Sequence, residues 1–105
     1  MNFLINESGY YRITLMTDVH RFPDATDDKY ATINFMQKLP TSNWSRMARD
    51  VLVATDFRVA SPSSRTFSHV LKLEAGDRFR VDFVDDLTYD FFWFTKVQIL
   101  FEKLG

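Results

Sequence analysis

From Gly9 to His20 apolar side chains recur at alternate positions. Tyr11, Ile13, Leu15 and Val19 share one parity; Arg12, Thr14 and Asp18 share the other. A β-strand sends successive side chains to opposite faces, so this pattern describes a strand with one dry face and one wet face. The alternation returns along the chain. Ala31, Ile33 and Phe35 carry it through Tyr30–Leu39, and Phe67, His69, Leu71 and Leu73 through Thr66–Leu73. In Arg78–Val84, Phe79, Val81 and Phe83 oppose Arg78, Arg80 and Asp82. The helical period of 3.6 is nearly absent, so the chain is constrained to an all-β fold.

Turn chemistry separates these segments. Arg21–Lys29 holds Pro23 and an acidic cluster, Pro40–Trp44 is a turn, and Ser61–Ser64 is a loop. Ala75-Gly76-Asp77 is a tight turn in which Gly76 can take a positive φ, which makes Leu71–Val84 the clearest hairpin. Ser45–Ala60 reads as two strands, Arg49–Ala54 and Phe57–Ala60, with a short helix over Ser42–Val51 as the alternative. The last strand runs from Phe91 to about Lys103. About eight short antiparallel strands at this spacing make a sandwich or barrel. With 105 residues, the chain is expected to form one domain over 1–105.

Composition narrows the chemistry. The chain has no Cys, which excludes disulfides, thiolate catalysis and Cys-ligated zinc. That absence in so small a domain favours synthesis in a bacterial cytosol. Met-Asn-Phe-Leu-Ile-Asn-Glu lacks the basic and long apolar regions of a signal peptide, and no apolar run approaches the ~20 residues of a membrane span. A formal net charge of −1 gives no general attraction to nucleic acid or to acidic membranes.

The C-terminal half carries short motifs in a fixed order. Leu71-Lys72-Leu73-Glu74-Ala75-Gly76-Asp77 leads into the alternating Arg78–Val84, and a final strand opens with Phe94-Thr95-Lys96-Val97-Gln98-Ile99. Near the start, Glu7-Ser8-Gly9-Tyr10-Tyr11-Arg12-Ile13 looks like a Gly-x-Tyr strand entry. Together these resemble the tumour necrosis factor and complement component 1q globular-head superfamily, over roughly Phe3 to Phe101. The resemblance implies a jelly-roll β-sandwich, a homotrimer and a binding role. Cys-free versions with a Gly-Tyr-Tyr-Arg-like strand resemble those of bacteriophage fibres, capsid decorations and bacterial surface filaments. Two departures stand out. The family usually has Gly where this chain has Lys96, and its first strand would precede Phe3.

Asp24, Asp27 and Asp28 on one loop, and Asp85, Asp86 and Asp90 on another, could hold calcium, but no EF-hand spacing is present and Asp is a turn former. Nothing sets two carboxylates across a cleft for glycoside hydrolysis. His69 shares the parity of Phe67 and Leu71, so it is expected to be a packed, hydrogen-bonded core histidine. Ser68 has no nucleophile elbow. Arg46, Arg49, Arg58, Arg65, Arg78 and Arg80 are dispersed in sequence and read as mixed solvent faces. The expectation is therefore no catalytic residue, no metal and no cofactor.

The run Phe91-Phe92-Trp93-Phe94 is the most informative. Phe91, Trp93, Val97, Ile99 and Phe101 share one parity and read as the core face. Phe92, Phe94, Lys96 and Gln98 then face outward, and two Phe left in water cost free energy, so something covers them: a loop of the same chain or a neighbouring subunit. The family resemblance favours the second, with these four residues lining a trimer interface. The function expected is a non-enzymatic trimeric structural or binding module on a particle surface, such as a virion decoration or a fibre receptor-binding protein. It would be made in the cytoplasm and reach a virion or extracellular surface. Its partner would be a capsid, a fibre or a host-surface glycan or protein, with neither nucleic acid nor membrane insertion involved. The alternative is a free-standing carbohydrate- or protein-binding module, with or without a calcium dependence.

Overall fold

In the computed structural model, which describes residues 2–85 and 91–105, two antiparallel sheets face each other across an apolar interior. The strands are β1 (Phe3–Leu4), β2 (Gly9–Arg21), β3 (Tyr30–Lys38), β4 (Trp44–Val53), β5 (Ser63–Leu73), β6 (Arg78–Asp85) and β7 (Phe92–Lys103). One sheet has the order β1-β6-β3-β4 and the other β5-β2-β7. The result is a jelly-roll sandwich, with seven strands among the described residues where about eight were expected.

Alternation set the inward faces where the strands run unbroken. Ile13, Leu15 and Val19 from β2 are fully buried, as are Ile33 and Phe35 from β3 and Phe79 from β6. Removing each such side chain from water contributes roughly 1.5–3 kcal/mol. Arg78, Arg80 and Asp82 point away from this core, as their parity requires.

The Gly-Asp turn is held by more than glycine. Gly76 has φ 95°, and its N–H donates to Ile5 O at 2.8 Å, while Ile5 N–H donates to Asp77 O at 2.9 Å. The chain before β2 is thereby tied to the β5–β6 turn. Asp77 is 1% exposed. Its Oδ2 accepts from the Glu74 N–H at 2.9 Å and from Gln37 Nε2 at 2.5 Å.

Between Pro40 and Ala60 the structure corrects the expectation. One strand, β4, starts at Trp44 rather than Arg49, and there is no helix over Ser42–Val51. A 3₁₀ turn at Ala54–Asp56 follows, with isolated bridges at Arg58↔Ser61 and Arg21↔Val59 instead of a strand. Two features hid β4. It is an edge strand, so both faces of its first half are wet. A bulge between Phe35 and Met36 also skips Met47: Phe35 pairs with Ala48 and Met36 with Arg46. An extra residue shifts the parity of everything after it.

Arg21 closes this end of the sandwich. Its guanidinium donates to Ala25 O, Ala54 O and Phe57 O and reaches Asp27 Oδ1 at 3.1 Å. His69 is half-buried where β5 meets β4. Its Nε2 lies 2.7 Å from Asp50 Oδ2 and its ring meets the Phe35 ring edge-on. The expected packing and hydrogen bond are present, but the ring sits at the edge of the core and not within it, and it links the two sheets.

Candidate functional site

The aromatic run opening β7 lies the other way round from the expectation. Phe92 is 3% exposed and faces Phe57 edge-on across the core, with centroids 5.8 Å apart. Phe94 is half-buried and packs on Phe83 at 4.3 Å. Trp93, expected in the core, is 36% exposed on the outer face. It stacks on His20 at 4.4 Å and leans on Phe22. Phe92 and Phe94 are therefore covered by their own chain, and the reason given for placing them at an interface, two Phe left in water, does not hold.

The cause is a second bulge. Asp18 pairs with Thr95 and Met16 with Gln98, so Lys96 and Val97 together oppose Thr17. Lys96 takes φ 54°, the left-handed conformation. Parity inverts there: Phe92 and Phe94 point inward before the bulge, and Ile99 and Phe101 after it. A single alternating series drawn through Phe91, Trp93, Val97, Ile99 and Phe101 cannot follow the chain across an inserted residue. The sequence signal was Lys96 itself, standing where the resembled family usually has Gly.

Lys96 and Gln98 are exposed. They belong to the outer face of the β5-β2-β7 sheet, whose cross-strand rows follow from the register. Two central rows, Ser68-Thr14-Leu100 and Thr66-Met16-Gln98, carry no charge. In the next row Arg12 and Glu102 neutralise each other at 2.8 Å, beside Val70. Tyr10 and Leu104 lie at the far end, joined by the Leu104 N–H to Tyr10 O bond of 2.7 Å. Tyr10, Val70, Leu100 and Val97 are all well exposed, Leu100 the most at 57%. Near the bulge, Lys96 Nζ lies 3.8 Å from Asp18 Oδ2 and Ser64 Oγ donates to Asp18 Oδ1. The face is nearly charge-neutral and partly apolar. It suits packing against another such face.

Among the described residues neither histidine joins a hydroxyl to a carboxylate. His69, which holds a carboxylate, binds no hydroxyl; His20, which binds the Thr95 hydroxyl at 2.8 Å, holds no carboxylate. No three His, Asp or Glu side chains converge as metal ligands there. In the Asp24–Asp28 loop, Asp28 accepts from the Thr26 hydroxyl, and that bond lowers its carboxyl pKa below the usual value. The second acidic loop, 86–90, and the side chain of Asp85 lie outside the described residues. An open cleft of about 230 Å³ sits between β1 and the end of β7, with an apolar floor of Phe3, Ile5 and Phe101.

No protein-family model and no curated protein matches this chain. Solved structures do match, and they place it among proteins with the tumour necrosis factor-like jelly-roll fold. One is the structure of Eiger TNF from S. frugiperda, with a TM-score of 0.69 and 16% sequence identity. The likeness covers 97% of this chain but 63% of that one. At this identity the likeness establishes the fold.

Proposed function

We propose that the protein is a non-enzymatic homotrimeric module on a particle surface, such as a virion decoration or fibre protein, of the phage or bacterial surface type its sequence resembles. The observation that carries this reading is the outer face of the β5-β2-β7 sheet. Tyr10, Val70 and Leu100 stand more than half exposed around two rows without a formal charge. Burial of such groups drives association, and charge depletion at the centre is what distinguishes interface cores. The tumour necrosis factor-like fold is compatible with three copies around an axis. Lys96 and Gln98 stay in the proposed interface; Phe92 and Phe94 give way to Leu100, Val70 and Met16.

Sedimentation velocity tests this directly. The wild-type protein is expected to sediment as a trimer, and Leu100→Asp as a folded monomer with an unchanged circular dichroism spectrum. A wild-type monomer at high concentration would remove the proposal. Co-purification with particles then tests where the module sits.

A further inference from the structure

The opposite outer face has a different character. On the β1-β6-β3-β4 sheet the register aligns three rows: Arg78-Lys38-Trp44, Arg80-Met36-Arg46 and Asp82-Asn34-Arg49. Of the chain's 13 Lys and Arg, five stand here; of its 14 Asp and Glu, only Asp82 does. Residues dispersed over forty positions of sequence are thus brought to one patch by strand pairing. Neighbouring strands lie about 4.8 Å apart and successive same-face residues about 7 Å apart. The cations therefore form a shallow lattice.

Its centre is already ordered. Arg80 reaches across β3 and lays its guanidinium on the Trp44 ring, 4.1 Å from the centroid. Its Nε holds Asp82 at 3.0 Å, which leaves its terminal nitrogens without an acceptor among the described residues. Arg46, Arg49 and Arg78 are exposed and form no ion pair or hydrogen bond there either. A guanidinium held this way presents a planar fork of donors suited to carboxylate or sulfate.

We propose that this face binds a linear acidic polysaccharide through its carboxylate or sulfate groups, with Arg46, Arg49, Arg78 and Arg80 as the contacts. The charge imbalance calls for a polyanion. Trp44, the aromatic ring at this end, is covered by Arg80, so no open ring is available for stacking the bases of a single strand. The broad face of a four-stranded sheet presents no helix or ribbon to enter a duplex groove. A protein partner would bury an apolar anchor at the centre of the patch, and there Met36 is half-buried; the exposed Leu4, Val84 and Val51 lie at its edges, Leu4 beside Arg78 and the other two in the next row across Thr32. A glycan brings charge and hydroxyls without needing either. The proposal does not depend on how the chain assembles.

The test is binding of the full chain to heparin and to polygalacturonate in 0.15 M salt, by calorimetry, with an oligothymidylate and a polyglutamate as competing polyanions. At least one of the two glycans is expected to bind, more weakly as salt rises because the contacts are exposed. Arg46→Glu with Arg49→Glu is expected to weaken that binding by about tenfold or more, with an unchanged melting temperature. Lys72→Glu, on the other sheet, is expected to bind like wild type. Absence of binding to both glycans overturns the proposal. So does an equal loss in Lys72→Glu, or tighter binding of oligothymidylate or polyglutamate than of either glycan.

Discussion

Asp77 and Gln37 share a buried hydrogen bond of 2.5 Å, joining the β5–β6 turn to the end of β3. The same Asp77 oxygen accepts the Glu74 N–H, so one atom shapes the turn and anchors it to the sheet. This accounts for the Asp after Gly76 better than turn propensity does. Asp77→Ala leaves two donors without an acceptor and is expected to cost about 3 kcal/mol in urea unfolding. Asp77→Asn, with its oxygen in the same place, is expected to lose less than half of that. Equal losses would mean that the negative charge, rather than the acceptor, matters.

Lys96 holds φ 54° inside a strand. A side chain in that conformation costs about 1 kcal/mol, and glycine adopts it freely. Lys96→Gly is therefore expected to raise the melting temperature by a few degrees, and its 3.8 Å contact with Asp18 is too exposed to offset that. Lys96→Val, β-branched, is expected to lower it. A more stable Lys96→Val would show that the bulge is absent in solution.

The aromatic run gives a discriminating pair. Phe92 is buried against Phe57, while Trp93 lies on the surface over His20. Phe92→Ala is expected to cost about 3–5 kcal/mol, as for other buried Phe. Trp93→Ala is expected to cost less than half as much and to leave the fold intact. Chemical denaturation of both decides the matter; the reverse order would restore a core Trp93.

These cases mark what could be read from the sequence. Period-two alternation identified β2, β3, β5 and β6 and their inward faces, because burial on one side of a regular strand is written directly into residue order. It failed at Met47 and at Lys96. A bulge is one residue of slack settled by the partner strand, and it leaves no alternation of its own. The reversed faces of Phe92 and Trp93 follow from that one residue. The basic patch was illegible for another reason: Lys38, Arg49 and Arg80 become neighbours only through β3 pairing with both β4 and β6. The resemblance in Leu71–Asp77 and Phe94–Ile99 carried the fold further than periodicity could, since it named the jelly roll.

Arg21 supplies the last prediction. Its side chain is 13% exposed, and its donors bond the carbonyls of Ala25, Ala54 and Phe57, from two loops that have no sheet of their own. Asp27, its ionic partner, is 80% exposed. An ion pair with one member in water contributes little, roughly 0–1 kcal/mol. Carbonyls left unpaired in a partly buried site cost about 1–3 kcal/mol. The geometric contribution should therefore outweigh the charge. Lysine keeps the charge but offers one compact donor group in place of the planar fork. Arg21→Lys is expected to destabilise by about 2 kcal/mol, and Asp27→Ala by under about 1 kcal/mol. Raising the salt to 1 M should leave both differences nearly unchanged. If Asp27→Ala costs as much as Arg21→Lys, and salt removes the difference, the end of the sandwich is held by the ion pair and not by the fork.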